Sequence, residues 1–252
     1  MGDFLFASAT TQESKLVQAM GVFGPEAVGS KRHFYQGDWG SLMFWEAPYG
    51  ERAVHEDDRM LAFLIGQPIP TQADKSPWEV VVANLRRAMQ EQAAVNWDEC
   101  LWGAFAILAI DKSNNRIHWV IDPVGFVPVY RMEQQGLPAD AERQLWISTV
   151  PESLAALTTT PDAIDPVTVC DLICHTAVCF PHTLHPQVKQ LPPGHHFQFS
   201  QSPAADQADA YWTPAERDMF TKVDDAVAAV RERIERTADF VARHYSSAAV
   251  LL

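Results

Sequence analysis

Three cysteines crowd into one short stretch, Cys170, Cys174 and Cys179, with His175, His182 and His185 beside them. Thiolates and imidazoles bind zinc and build iron–sulfur sites, so metal binding is the first chemistry to weigh. Steps of four and five residues fit neither the Cys-x-x-Cys knuckles of structural zinc nor the usual iron–sulfur spacings. Cys170 and Cys174 stand one helical turn apart on an apolar stretch. Free cysteine is among the most buried residue types, so core packing and no metal are expected. Asp122 is the most tempting acid, but it opens the turn Asp122-Pro123-Val124-Gly125. There an Asx carboxylate normally bonds its own backbone, which makes the expected role structural. His195 and His196 follow a Pro-Pro-Gly turn and read as a solvent edge. The eight tryptophans, Trp39, Trp45, Trp102 and Trp119 among them, lie in apolar strands and read as core. The Arg and Glu run Arg231–Arg236 reads as a solvated helix face.

The elements that must position these residues are legible in outline. Phe4–Ala9, Ser41–Trp45 and Arg59–Ile65 read as buried strands, and Glu46–Asp58, with Pro48 and Gly50, as a hairpin or loop. Ser76-Pro77-Trp78-Glu79 carries a capping box and a proline suited to the first helical position, and opens a helix expected to reach Ala94. Four short strands follow at Gly103–Ile110, Ile117–Ile121, Val127–Tyr130 and Gln144–Ser148, then a short helix at Glu152–Leu157. Their continuous apolar runs predict two stacked sheets inside helical layers. Thr158–Asp165 has no apolar period and predicts a domain boundary near residue 160. Beyond it come a helix at Pro166–Val178, a strand at His195–Phe199, and a surface loop at Gln201–Ala210. A long helix then carries the stripe Val223, Val227, Val230, Ile234, Ala238 and Val241. Ala248–Leu252 begins a buried strand, so the chain reads as a fragment.

The chain has 252 residues, with 19 Lys plus Arg against 32 Asp plus Glu, a formal charge of −13. Such an acidic balance speaks against nucleic acid and against a polybasic membrane contact. No apolar run approaches the roughly 18 residues of a membrane span. The N-terminus lacks a basic signal-peptide start, and four cysteines do not make a disulfide scaffold. A cytoplasmic protein is expected.

Five segments, in order, resemble the asparagine synthetase family. They are Trp97–Asp111 (WDECLWGAFAILAID), Asp122–Tyr130 (DPVGFVPVY), Ile147–Leu157, Thr183–His195 with Tyr211-Trp212-Thr213-Pro214, and the long helix leading into Ala248–Leu252. The likeness is good over residues 97–252 and loose before them. It implies an α+β chain: a four-layer αββα sandwich of the N-terminal-nucleophile, class II amidotransferase-like type over residues 1–160. Residues 161–252 would then begin an α/β ATP-pyrophosphatase domain.

The same resemblance exposes missing chemistry. The family's glutaminase uses a cysteine at position two, whose thiolate attacks the amide while its own α-amine serves as base. Here position two is Gly2, and the nearest cysteine in sequence is Cys100. The family's Asn-Gly-Glu-Ile-Tyr-Asn strand end falls near Phe63–Pro68, where only Gly66 matches, and Asp74 is a poor match for the glutamine-anchoring acid. The family's β-lactam synthetases, carbapenam synthetases and lasso-peptide macrocyclases include members that keep this domain as a scaffold. The resemblance therefore implies an ATP-dependent amide-forming enzyme that adenylates a carboxylate for attack by an amine of the same substrate. The cofactors would be ATP and Mg2+, with Leu252 packing on the adenosine and the Mg2+ ligands beyond it. The partners would be the remaining synthetase domain or a chain carrying it, and a peptide or small carboxylate substrate; a homodimer is compatible. An ammonia-dependent asparagine synthetase homologue and a non-catalytic binding module are the alternatives.

Overall fold

The computed structural model describes residues 3–21, 31–46, 53–72, 74–91, 94–134, 144–200, 206–214 and 222–244. The chain divides into two compact units: Met1–Gln67 with Ala104–Tyr211, and Pro68–Gly103 with Trp212–Leu252.

The first unit is organised by two antiparallel sheets. One contains β1 (Asp3–Ala7), β2 (Lys31–Gly37), β3 (Gly40–Glu46), β8 (Tyr130–Gln134), β9 (Gln144–Ser148) and β10 (Val188–Gln190), in the order β10-β8-β9-β1-β3-β2. The other contains β4 (Val54–Glu56), β5 (Met60–Pro70), β6 (Leu101–Asp111), β7 (Arg116–Ile121), β11 (His195–Phe199) and β12 (Gln207–Ala210), in the order β12-β11-β7-β6-β5-β4. Side chains alternate across a strand, and β1 shows the consequence. Phe4 and Phe6 enter one core with Leu42, Phe44, Phe63, Ile65, Leu108, Trp119 and Phe197, which come from both sheets. Leu5 and Ala7 enter another core with Leu16 and Met20 of α1 (Glu13–Gly21) and Leu154 of α4 (Pro151–Ala155). The first sheet is thus sandwiched between the second sheet and a helical layer. The expected α+β class with two stacked sheets is what the chain adopts.

The second unit holds α2 (Pro77–Glu91), α3 (Trp97–Cys100) and α6 (Val223–His244). The capping box at Ser76 forms as expected. The Ser76 N–H donates to Glu79 Oε2 at 2.7 Å and the Glu79 N–H to Ser76 Oγ at 3.3 Å. The bonds to the Glu79 carboxyl from the Ser76 N–H, and then from its side chain, favour the charged form and lower its pKa. Val81, Leu85 and Ala88 of α2 are buried at the spacing of one helix face.

Several expectations are corrected. The strand read at Val127–Tyr130 begins instead at Tyr130, because the Asp122 carboxylate holds the chain in a turn as far as Val127. The stretch Glu46–Asp58, read as a hairpin or loop, contains β4, and the loop read at Gln201–Ala210 contains β12, paired to β11. Helix α1 and the polar strand β2 had no counterpart in the sequence reading. The helix read to Val178 is α5 (Pro166–His175), stopped by Thr176 in the left-handed conformation at φ 58°. Residues 188–210 supply strands to both sheets, so the boundary expected near residue 160 does not coincide with a break in packing. Ala248–Leu252 lies outside the described residues. No described helix is long and apolar enough to cross a membrane.

Candidate functional site

In the family resembled, glutamine is attacked at the opening of the first strand. Here β1 lies between β3 and β9, pairing Asp3 with Trp45 and Leu5 with Ser148. Its opening is clasped by the Ser148-Thr149 corner. The Phe4 N–H donates to Thr149 Oγ1 at 3.3 Å, and that hydroxyl donates to Asp3 Oδ1 at 3.0 Å. Ser148 Oγ donates to the Phe4 carbonyl at 2.7 Å and accepts the Val150 N–H at 3.0 Å. The two hydroxyls are therefore spent on tying the strand to its neighbour, and the residue adjoining Asp3 is Gly2, which itself lies outside the described residues. None of the four cysteines is on β1 or its neighbours. Cys100 ends α3, half-buried, with its thiol pKa raised chiefly by desolvation.

Gly66 has a reason of its own. Its φ is +86°, and a Cβ there would stand 2.3 Å from the Ala104 carbonyl oxygen. Only glycine fits where β5 passes that close to β6. Its presence therefore follows from packing alone and implies no amide substrate. Asp74 is exposed.

The structure does bring together two of the resembling segments. Asp122 is fully buried, and its carboxylate accepts the N–H groups of Val124, Phe126 and Val127 at 3.0, 3.1 and 3.1 Å. Its carbonyl accepts from Gly194 at 3.0 Å, and the Leu191 N–H donates to the Val129 carbonyl at 2.8 Å. The Tyr211 hydroxyl donates to the Ile121 carbonyl and its N–H to the Gly194 carbonyl. Thus Asp122–Val129, Leu191–Gly194 and Tyr211 form one corner, and Asp122 has the structural role expected. At its tip Phe126 is 69% exposed, an apolar side chain held out on a turn with little freedom.

His196 is corrected. It is 2% exposed, not at a solvent edge, and its Nε2 lies 3.1 Å from Nδ1 of His118 on the adjacent strand β7. Burial pushes the pKa of His118 down to about 3, with His196 contributing, and that of His196 down to about 4, so both rings are neutral at pH 7. The pair was invisible in the sequence because the residues are 78 positions apart and meet only through strand register. His195 is half-buried, with Nδ1 on the Pro193 carbonyl at 2.7 Å.

The cysteine stretch is also corrected. Cys170, Cys174 and Cys179 are exposed, with Val167 and Ile173 of α5 68% and 75% exposed beside them. Asp171 raises the Cys179 pKa by its charge and a hydrogen bond. Among the described residues no group of His, Cys, Asp or Glu is placed to hold a metal ion. Of the tryptophans, Trp97, Trp119 and Trp146 are fully buried. Trp102 is half-buried, with the Arg233 guanidinium 5.4 Å from its ring centre. The α6 stripe is exposed at Val223, Val227, Val230 and Ile234. Leu252 lies outside the described residues.

Comparison with known proteins adds three findings. No curated protein matches the chain. Among solved structures it is similar to the glutamine phosphoribosylpyrophosphate (PRPP) amidotransferase from B. subtilis complexed with ADP and GMP, at 9% identity and TM-score 0.39, over 86% of this chain and 50% of that one. A structure of the allosteric regulatory enzyme of purine biosynthesis is similar at 10% identity and TM-score 0.33, over 86% of this chain and 44% of that one. The chain spans about half the length of these structures or less. The model of a glutamine amidotransferase domain matches residues 70–212, more than half of the chain. The chain belongs to the glutamine amidotransferase domain family.

Proposed function

We propose that this amidotransferase-type domain does not hydrolyse glutamine and serves as the scaffold of an ATP-dependent, asparagine-synthetase-like enzyme that forms an amide bond within one substrate, as a peptide macrocyclase or lactam synthetase does. The observation that carries the first half is the opening of β1. A glycine adjoins Asp3, and the nearby Ser148 and Thr149 hydroxyls are engaged with backbone and with Asp3. Among the described residues no thiolate or free hydroxyl is offered there to a scissile amide. The second half rests on the order of the resembling segments. Mg-ATP would activate the carboxylate; Leu252, the counterpart of the residue that packs on adenosine, lies outside the described residues.

A binding module for a separate synthetase chain is the second reading, favoured by Phe126, Val167 and Ile173, which stand exposed on the first unit. The test uses the full-length protein. Glutamine hydrolysis should be at background, and ATP–pyrophosphate exchange should require substrate. Mass spectrometry should show loss of water from a peptide substrate rather than asparagine from aspartate and ammonia. Glutaminase activity would end the scaffold reading. Exchange seen only after adding a second chain would favour the binding module.

A further inference from the structure

We propose that the helical layer of the first unit carries a binding site for a short zwitterionic peptide. A cavity of about 650 Å3 opens between α1, α4 and the turn that follows α4. That volume is within the range of about 300–1,000 Å3 of small-molecule sites and exceeds the needs of one amino acid. It lies on the face of the first sheet away from the inter-sheet core, and it stands whether or not the protein forms amide bonds.

The lining sets the chemistry. Lys15 of α1 supplies a cation, and its ammonium lies 5.1 Å from the centre of the Trp146 ring, which orients the side chain. Glu152 of α4 and Asp162 of the following turn supply two carboxylates, and Leu157 and Ile164 supply apolar wall. Ile164 is 58% exposed, an aliphatic side chain beside charges with no apolar cover. Glu152 and Asp162 make no ion pair with Lys15 in the structure, so the cavity holds opposite charges that do not neutralise each other. A ligand that satisfies this set carries an ammonium for the carboxylates, a carboxylate for Lys15 and an aliphatic body. A short apolar peptide with free termini has all three.

The probe is the tetrapeptide Ala-Leu-Leu-Ala with free termini, titrated into the full-length protein by calorimetry. Saturable binding is expected. N-acetylation of the peptide and Asp162→Asn should each weaken it at least threefold, as should C-amidation and Lys15→Gln. Acetylated peptide should no longer distinguish Asp162→Asn from the parent protein. Both side chains are exposed, so the variants should keep the parent's thermal midpoint, and variants that lose it are replaced by Asp162→Ser and Lys15→Met. No saturable binding, equal binding of the doubly capped peptide, or indifference to both variants would overturn the site. Free alanine binding as tightly as the tetrapeptide would overturn the peptide class.

Discussion

The Asp122 corner and the opening of β1 close buried strands by the same device, a side-chain oxygen that captures backbone N–H groups, yet they hold very different amounts of structure. Asp122 takes three N–H groups with one buried carboxylate and anchors the Leu191–Gly194 turn through its carbonyl. The Thr149 hydroxyl takes one N–H and donates to one half-buried carboxylate. β1 does not depend on that clasp, because it is paired along its length to β3 and over three residues to β9. The difference teaches that this fold needs the Asp122 carboxylate and does not need a nucleophile at the first strand. A thiol could be absent there without cost to the sheet.

The comparison breaks most sharply at Asp122. Asp122→Ala leaves three N–H groups without their acceptor, one of them on buried Val127 and two on the part-buried turn, and should cost about 4 kcal/mol of unfolding free energy in a urea titration. A loss below about 1 kcal/mol would mean water reaches those amides, and the contrast with Thr149 would collapse. Gly66→Ala comes next, at about 3 kcal/mol, since both the positive φ and a backbone oxygen 2.3 Å away oppose a Cβ. Gly125→Ala, whose Cβ would meet only the Pro193 side chain at 3.3 Å, should cost less than half of that in the same titration. Equal losses would show that φ alone decides.

The buried histidines give a pH signature of their own. Their folded pKa values of about 3 and about 4 lie below the unfolded value of 6.5, so the unfolded chain takes up protons first as pH falls. Stability is therefore complete above about pH 7 and declines below pH 6.5. Between pH 7 and pH 5 each histidine should remove about 1–2 kcal/mol, and His118→Phe should flatten that slope when unfolding is followed against pH. The smallest effect expected is at the clasp itself. Thr149→Val should cost about 1 kcal/mol, with the β1 amides still protected from hydrogen exchange. Loss of that protection would make the clasp, rather than strand pairing, the holder of β1.

Local chemistry was readable wherever it closes within a few residues. The Ser76–Glu79 box and the Asp122 turn both satisfy backbone groups within five positions, so residue types alone announced them. The apolar runs of β1, β3, β6 and β7 likewise predicted strands covered on both faces, and the glycine before Asp3 is a fact of the sequence. What escaped was set by neighbours distant in sequence. β2 and β12 have polar sequences and become strands because β3 and β11 offer them backbone partners. His118 and His196 meet because register places them on adjacent strands. Cys170 and Cys174 satisfy an apolar helical period, yet the side of α5 that packs is the one carrying Thr168, and period fixes which residues share a face without fixing which face is covered. By itself the sequence determined the apolar strands, the Ser76–Glu79 cap and the lack of a thiol at the first strand. Only the tertiary structure decided which surfaces are buried, which polar groups meet, and where a cavity remains, because each of those depends on separations in space that chain order does not contain.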